Sequence, residues 1–180
     1  TDLHHIKTGK NHVNDVPEEI IDRLFKAGSV PAEDLQFMDL VNNEYYILQG
    51  GSKSVLAVYN PIQQALERVD KQSCYGVNPR NAEQTFAMHA ILNPEVKLVS
   101  LQGIAGTGKT LLSLASAIES RQQYKQIYLA RPIVPLSNKD IGFLPGDAQS
   151  KVNPYMEPLW DNLKFIKNQW RETDPNYHRI

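Results

Sequence analysis

Hydrophobic residues in the first third of the chain change from a helical to a strand-like spacing. A helix is predicted to begin at 15–18, with Asp15 as its cap, and to end at Gly28. Its apolar face carries Ile20, Ile21, Leu24 and Phe25. Residues 44–49 and 54–59 are two apolar runs of strand length around a short glycine-containing segment. This arrangement predicts a β-hairpin, whereas residues 61–69 fit either a helix or a strand.

The second half of the chain alternates helix-like and strand-like segments. The predicted elements are, in order, a helix that starts within 76–84 and runs to about Leu92, a strand at 97–102, a helix over 111–118 and a strand at 126–130. A constrained turn at 141–146 and a helix capped by Asp147 are expected next, with Pro154 and Pro158 breaking or kinking that helix. Alternation of this kind is typical of an α/β fold.

The change of pattern near residues 74–76 predicts three parts. Residues 1–14 are polar and suggest a linker or disordered arm, residues 15–74 a small α+β module containing the hairpin, and residues 75–180 a second, α/β domain. We expect this second domain to be incomplete on its C-terminal side, for the reason given below.

Composition narrows the class of protein without naming it. Of 180 residues, 41% are apolar and 22% charged, and the net charge of −1 offers no electrostatic argument for nucleic-acid binding beyond a local basic groove. Cys74 is the only cysteine, so an internal disulfide is excluded and a reducing compartment such as the cytoplasm fits. The sequence contains no signal peptide and no apolar run of membrane-spanning length, so no membrane partner is expected.

The most informative segment lies between the predicted strand at 97–102 and the helix after it. Its residues have the form G-x-x-x-x-G-K-T: Gly103, Ile104, Ala105, Gly106, Thr107, Gly108, Lys109 and Thr110. Strand, glycine loop and helix in this order are the context in which such a loop, a P-loop, binds phosphate. Its glycines allow amide N–H groups to approach phosphate oxygens, and the helix N-terminus attracts the same anion.

The P-loop prediction assigns a role to each polar residue in it. Lys109 is expected to contact the β- and γ-phosphates, and Thr110 to place its hydroxyl on Mg²⁺. Leu111 extends the nucleotide-binding segment into the helix. ATP and Mg²⁺ are the expected ligands.

Two further positions are candidates with open alternatives. Gln84 lies four residues after Arg80, near the start of the predicted helix, and Asn81 lies beside it. At this position the glutamine amide is placed to pair with an adenine edge. The alternative is a solvated helix glutamine with Asn81 as the cap. Arg131 follows the predicted strand 126–130, at the sheet edge where ligands of α/β folds bind, and is either a phosphate or nucleic-acid contact or a surface arginine.

Four segments together resemble the PhoH-like ATPase family. They are 78–84, the P-loop 103–110, Arg131-Pro132-Ile133-Val134, and 141–147 with the sequence Ile-Gly-Phe-Leu-Pro-Gly-Asp. The resemblance covers residues 76–168 and implies a P-loop NTPase core like that of RecA and superfamily-1 helicases. Members with a PIN-type ribonuclease domain before this core are described as ATP-driven RNA-unwinding and RNA-cleaving rings. The chain is similar to the part of such a protein after the PIN domain.

The resemblance implies Gln84 at adenine, Lys109 on phosphate, Thr110 on magnesium and Arg131 near the functional rim. It also implies RNA or single-stranded nucleic acid as a partner and a ring homo-oligomer, a hexamer, for the full-length protein. ATP hydrolysis also needs an acidic motif, an apolar strand ending in Asp-Glu that positions magnesium and water, and no such segment follows Thr110. We therefore expect a truncated core whose parent is an ATPase and which itself binds nucleotide with negligible turnover.

Two other functions remain open at this point. A P-loop kinase for small molecules would need an arginine-rich lid, and the stretch after Arg131 has few arginines. A non-hydrolysing, nucleotide-dependent assembly module fits the missing acidic motif. RNA stimulation of ATPase activity, or phosphate transfer to a small acceptor, would separate these functions.

Overall fold

The computed structural model describes residues 8–132, 148–170, 174–176 and 178. These residues fall into two compact units, described in turn. The first comprises residues 1–72 and 78–99, and the second residues 73–77 and 100–180. The fold is α/β, with a mixed five-stranded sheet in the first unit.

The sheet of the first unit has the order β1-β3-β4-β5-β2. Its strands are β1 (Lys10–Val13), β2 (Ser29–Pro31), β3 (Tyr45–Gly50), β4 (Lys53–Asn60) and β5 (Ala65–Arg68). β1 pairs with β3 in parallel, while the other pairs are antiparallel. The predicted hairpin is present as β3 and β4, with Gly50 opposite Lys53.

Both faces of this sheet are covered, because side chains alternate along each strand. On β3, Tyr46 and Leu48 belong to a core cluster with helix α1 (Glu18–Ala27). Tyr45 and Ile47 lie in a second cluster with helix α2 (Ala82–Leu92). The central strands are therefore apolar throughout, as expected for strands buried on both faces.

Helix α1 ends as predicted but begins differently. Gly28 closes it in the left-handed conformation, with φ 79°, and its N–H donates to the carbonyl of Leu24. The cap position is held by Pro17 rather than Asp15, and no side-chain hydrogen bond caps the helix. Asp15 itself has φ 57°, so its backbone turns the chain instead of capping it.

Two regions of the first unit contain strands that the hydrophobic pattern either did not indicate or left open. β1 lies inside the segment 1–14, which was predicted to be a linker or loose arm, and the ambiguous segment 61–69 contains β5. β1 is an edge strand with one neighbour, so its polar residues remain partly accessible and its sequence need not be apolar. β2 has three residues and includes Pro31, which is tolerated at an edge.

Helix α2 packs on the sheet of the first unit. The boundary predicted near 74–76 would have placed α2 in the second domain, whereas residues 78–99 belong to the first unit. Phe86 and Ala90 of α2 are buried against Tyr45 and Val58 of the sheet. α2 carries apolar residues around its whole circumference rather than on one stripe. Such a helix offers an apolar face to the sheet whatever follows it in the chain.

The second unit contains helices α3 (Lys109–Glu119) and α4 (Ala148–Lys167). Its buried side chains include Leu112, Leu114, Ala115 and Ile118 of α3 and Ile166 of α4. The prolines were predicted to break or kink this helix, and α4 runs without a break through Pro154 and Pro158. Each proline removes one N–H from the helical ladder, and 20 residues of helix absorb that loss. The predicted turn at 141–146 and the cap Asp147 lie outside the described residues.

A tight turn at 74–77, at the start of the second unit, is hydrogen-bonded to helix α3. Cys74 and Val77 exchange backbone hydrogen bonds around Tyr75 and Gly76, whose φ angles are 45° and 82°. Two consecutive positive φ values are those of a type I′ hairpin turn. The Glu119 carboxylate accepts the Tyr75 N–H at 2.7 Å.

The strands predicted at 97–102 and 126–130 are not present as strands among the described residues. Neither segment has a ladder partner among the described residues. Leu98 and Tyr128 are exposed, at 88% and 85%, whereas Val99 is half-buried against the second cluster. A strand is defined by hydrogen bonds to a neighbour, so an apolar run of the right length does not form one alone. The prediction of two ladder-paired strands around the glycine loop is therefore wrong for the described chain.

Candidate functional site

The glycine-rich segment 103–110 forms a loop that turns into a helix. Residues 105–108 make the turn, and α3 begins at Lys109. Gly106 and Gly108 have φ angles of 81° and 84°, in the left-handed region that glycine adopts without steric cost. A Cβ added to Gly106 would meet no atom within 4 Å, so this side of the loop is open.

The Lys109 ammonium lies over its own loop. Nζ donates to the carbonyl oxygens of Gly103 at 2.8 Å and Ile104 at 2.7 Å, and to Thr107 Oγ1 at 3.2 Å. An ammonium has three N–H donors, so these three contacts match its donor capacity. The charge is thereby held at the point where the chain turns from loop to helix.

Thr107 links the two sides of the loop. Its hydroxyl donates to the Ile104 carbonyl at 2.9 Å and accepts from Lys109 Nζ at 3.2 Å. The motif pattern allows any residue at this position, so sequence reasoning assigned Thr107 only general membership of the loop. Its two-sided hydrogen bonding became visible only in the structure.

The residues of the loop fit a phosphate group. The first N–H groups of α3 have no acceptor inside the helix, and the first helical hydrogen bond runs from Leu112 N–H to Gly108 O at 2.9 Å. Lys109, Thr110 and Leu111 therefore present N–H groups at the positive end of the helix dipole, which is an anion site. Thr110 is exposed, and its hydroxyl would supply one oxygen ligand to a magnesium ion on the phosphates.

Asn81 and Gln84 form the N-terminus of α2 in the first unit. The Asn81 side chain accepts the Gln84 N–H at 2.9 Å, which makes it the cap of α2. Gln84 Oε1 accepts the Arg80 N–H at 2.8 Å, so the side chain folds back on the turn before the helix. The structure therefore brings Asn81, Gln84 and Arg80 together, and the loop 103–110 belongs to the other unit.

Arg131 lies in the exposed segment without regular secondary structure that follows residue 125. Ile133 and Val134, which share its sequence motif, are outside the described residues. No group of three or more His, Cys, Asp or Glu side chains with the spacing of a metal centre occurs in the described part of the chain. Within that part there is also no helix of the length and apolarity needed to cross a bilayer.

Comparison with known proteins places this geometry in a family. The family described as PhoH-like protein matches residues 76–174. The Protein PhoH2 of Bacillus subtilis (strain 168) is 34% identical over 161 residues, which are 85% of this chain and 36% of that protein. The Protein PhoH2 of Mycolicibacterium smegmatis is 32% identical over 156 residues, 84% of this chain and 35% of that protein.

A shorter stretch gives a higher identity. The PhoH-like protein of Bacillus subtilis (strain 168) is 46% identical over 66 residues, 36% of this chain and 20% of that protein. The chain spans about a third of the length of the two PhoH2 relatives. No solved structure matches.

A P-loop-type nucleotide-binding protein is thus the class that the site and the matches define. The chain belongs to the PhoH-like protein family. These matches confirm the resemblance to the PhoH-like family that the sequence indicated, and members of this family are generally ATP-binding proteins.

Proposed function

We propose that the chain binds ATP through the loop 103–110 and that its parent protein hydrolyses ATP to drive work on RNA or another single-stranded nucleic acid. One observation carries the ATP part. A loop with two left-handed glycines runs directly into a helix N-terminus, with the Lys109 ammonium held over it by three oxygen atoms. The nucleic-acid part is supported by membership of the family.

In this proposal the residues of the loop divide the work between them. The amides at the start of α3 and the Lys109 ammonium stabilise the negative charge of the phosphates. The Thr110 hydroxyl helps to hold magnesium, which when bound would neutralise charge on the β- and γ-oxygens. Asn81 and Gln84 read the adenine edge, and Arg131 contacts nucleic acid or a neighbouring subunit of a ring.

Hydrolysis also needs a carboxylate that orients water, and no apolar run ending in Asp-Glu follows Thr110 in this sequence. We therefore propose that the 180-residue chain binds ATP but turns it over negligibly. A nucleotide-dependent assembly role for the chain is compatible with that expectation. Kinase activity finds no supporting feature among the described residues.

The test is an ATP titration of the chain with a matched pair of lysine variants. Lys109→Ala removes the ammonium over the loop and should weaken ATP binding by at least tenfold, because a charge-assisted contact with phosphate is lost. Lys125→Ala changes an exposed lysine elsewhere in the second unit and should leave binding unchanged. Equal binding by wild type and Lys109→Ala would refute the proposal, and RNA-stimulated turnover of the parent protein tests its second part.

A further inference from the structure

One side of helix α4 carries charged and aromatic residues in a definite order. The helix packs on α3, and its opposite side contains Ile166, which is fully buried. Positions 157, 160, 161, 164 and 167 recur every three or four residues, so they lie on one side of the helix, over about 15 Å of its length. From the N-terminal end, this α4 stripe consists of Glu157, Trp160, Asp161, Lys164 and Lys167.

The α4 stripe is accessible to an external partner. Trp160 is 51% exposed, and Glu157, Asp161 and Lys164 are exposed as well. With Leu163 at its margin, the stripe lines a groove of about 570 Å³. No ion pair joins either carboxylate of the stripe to a basic side chain in the described part of the chain. Tryptophan is a residue that dominates the binding energy of protein interfaces, so its exposure here indicates a contact surface.

The order of charges on the stripe is complementary to itself when reversed. In an antiparallel pair of α4 helices with position 162 on the two-fold axis, each position faces the one equally far beyond the axis. Glu157 then faces Lys167 of the second copy, and Trp160 faces Lys164 of the second copy. The symmetry repeats both pairs, so two ion pairs and two cation–π contacts form from one stripe. A parallel pair would instead place each charge against its like.

A single-stranded nucleic acid is the other partner to consider, because exposed aromatic rings and lysines form platforms for stacked bases and phosphates. Glu157 and Asp161 argue against it here. Both lie within one helical turn of Trp160, so their carboxylates would repel a phosphate backbone that followed a base stacked on the ring. The same two carboxylates are attractive partners for the lysines of a second copy.

We propose that the α4 stripe is an interface between two copies of this chain, which pair their α4 helices antiparallel about a two-fold axis. Such a contact is complete with two copies, unlike the head-to-tail contacts that close a ring. A single helical stripe buries less surface than the roughly 1,200 Å² of standard interfaces, so the dimer is weak, with a dissociation constant on the order of 10 to 100 µM. The interface does not depend on nucleotide binding by the loop 103–110.

The experiment reverses the two ends of the stripe in separate proteins. The acid-reversed variant carries Glu157→Lys and Asp161→Lys, and the base-reversed variant carries Lys164→Glu and Lys167→Glu. Sedimentation velocity of the 180-residue chain is measured from about 1 to about 200 µM for wild type, for each variant and for an equimolar mixture of the two.

A matched pair of single substitutions tests the aromatic contact. Trp160→Ala removes the ring at the centre of the stripe, whereas Phe165→Ala removes a ring of similar exposure, 48%, that lies on α4 beside the stripe. Melting temperatures are compared for all variants. Binding of a short fluorescent single-stranded RNA is measured for wild type, Trp160→Ala and the base-reversed variant.

We expect wild type to form dimers that weaken as salt is raised, because the ion pairs are exposed. Each reversed variant alone should dimerise at least tenfold more weakly, since every pair becomes repulsive. The mixture should associate within about threefold of wild type, because an all-basic stripe then meets an all-acidic one. Trp160→Ala should weaken dimerisation at least tenfold and Phe165→Ala less than about twofold.

Three results would overturn the proposal. The first is a wild-type chain that stays monomeric over the whole concentration range. The second is a mixture that associates no more tightly than its two components. The third is a loss of RNA binding in Trp160→Ala and in the base-reversed variant with unchanged dimerisation, which would assign the stripe to nucleic acid. If a reversed variant fails to fold, equal dimerisation by Trp160→Ala and Phe165→Ala would overturn the proposal by itself.

Discussion

Thr107→Val tests whether the P-loop is organised before nucleotide arrives. The substitution replaces a hydroxyl by a methyl group at nearly constant shape, so it removes hydrogen bonds without creating a cavity. The bonds lost include one donated to the Ile104 carbonyl at 2.9 Å and one accepted from Lys109 Nζ at 3.2 Å. The Lys109 ammonium keeps its contacts with the carbonyls of Gly103 and Ile104, so the charge stays near the loop.

The expected size of the effect follows from the exposure of these bonds. Thr107 is exposed, so each hydrogen bond competes with water and contributes about 0.5 kcal/mol, at the low end of the usual range. Losing both bonds costs about 1 kcal/mol of loop order. If ATP binding has to supply this free energy to order the loop, binding becomes roughly fivefold weaker. Thr107→Ser keeps the hydroxyl and should bind ATP within about twofold of wild type.

The assay is a calorimetric titration of wild type, Thr107→Val and Thr107→Ser with ATP and magnesium at one salt concentration. Tighter binding by Thr107→Val would refute the reasoning, because it would show that the threonine competes with phosphate for the ammonium. Unchanged binding would show that the hydroxyl has no part in ordering the loop. Melting temperatures of the three proteins should agree, which separates an effect on the loop from one on the fold.

Three other predictions concern backbone space and charge. Gly50→Ala should cost about 3 kcal/mol in urea unfolding, because the added Cβ would lie 2.0 Å from the Val16 carbonyl oxygen. Gly106→Ala has free space but strains a φ of 81° by about 1 kcal/mol, so ATP affinity should fall about fivefold while the melting temperature barely changes. His89 has a lowered pKa because it is buried, and nearby Glu67 opposes this shift only in part. The unfolded chain therefore takes up a proton on His89 at a higher pH than the folded protein does, and the free energy of unfolding should decrease as pH falls below 6.5. In His89→Gln this decrease should be less steep.

Elements set by neighbouring residues were predictable from the sequence. The hairpin of β3 and β4 follows from two apolar runs joined by a short glycine segment. Gly28 ends α1 because only a left-handed residue makes that turn without strain. The helix predicted over 111–118 after the glycine loop is present, and it begins two residues earlier, at Lys109. In each case the interactions that define the element lie within a few residues of one another.

Elements that depend on distant partners were not predictable in this way. β1 is a strand because β3, 35 positions further along, offers it a parallel neighbour, and its own polar sequence carries no such signal. The segment around Leu98 has the composition of a strand, but the described residues provide no ladder for it. The contacts of Tyr45 with His89 span 44 positions, and no periodicity of hydrophobic residues could have paired them.

The same distinction applies to the nucleotide site itself. The proposed phosphate site depends on hydrogen bonds within residues 103–112, from the Lys109 contacts to the first bond of α3, so its geometry is set by one short segment. The position of Gln84, by contrast, depends on a helix that packs on a sheet whose strands lie up to 73 positions away, as the pair of Lys10 and Glu83 shows. Substitutions in the loop should alter affinity for every triphosphate alike, because the proposed phosphate contacts lie within that one segment. A loop variant that weakened ATP binding but not tripolyphosphate binding would contradict this reasoning.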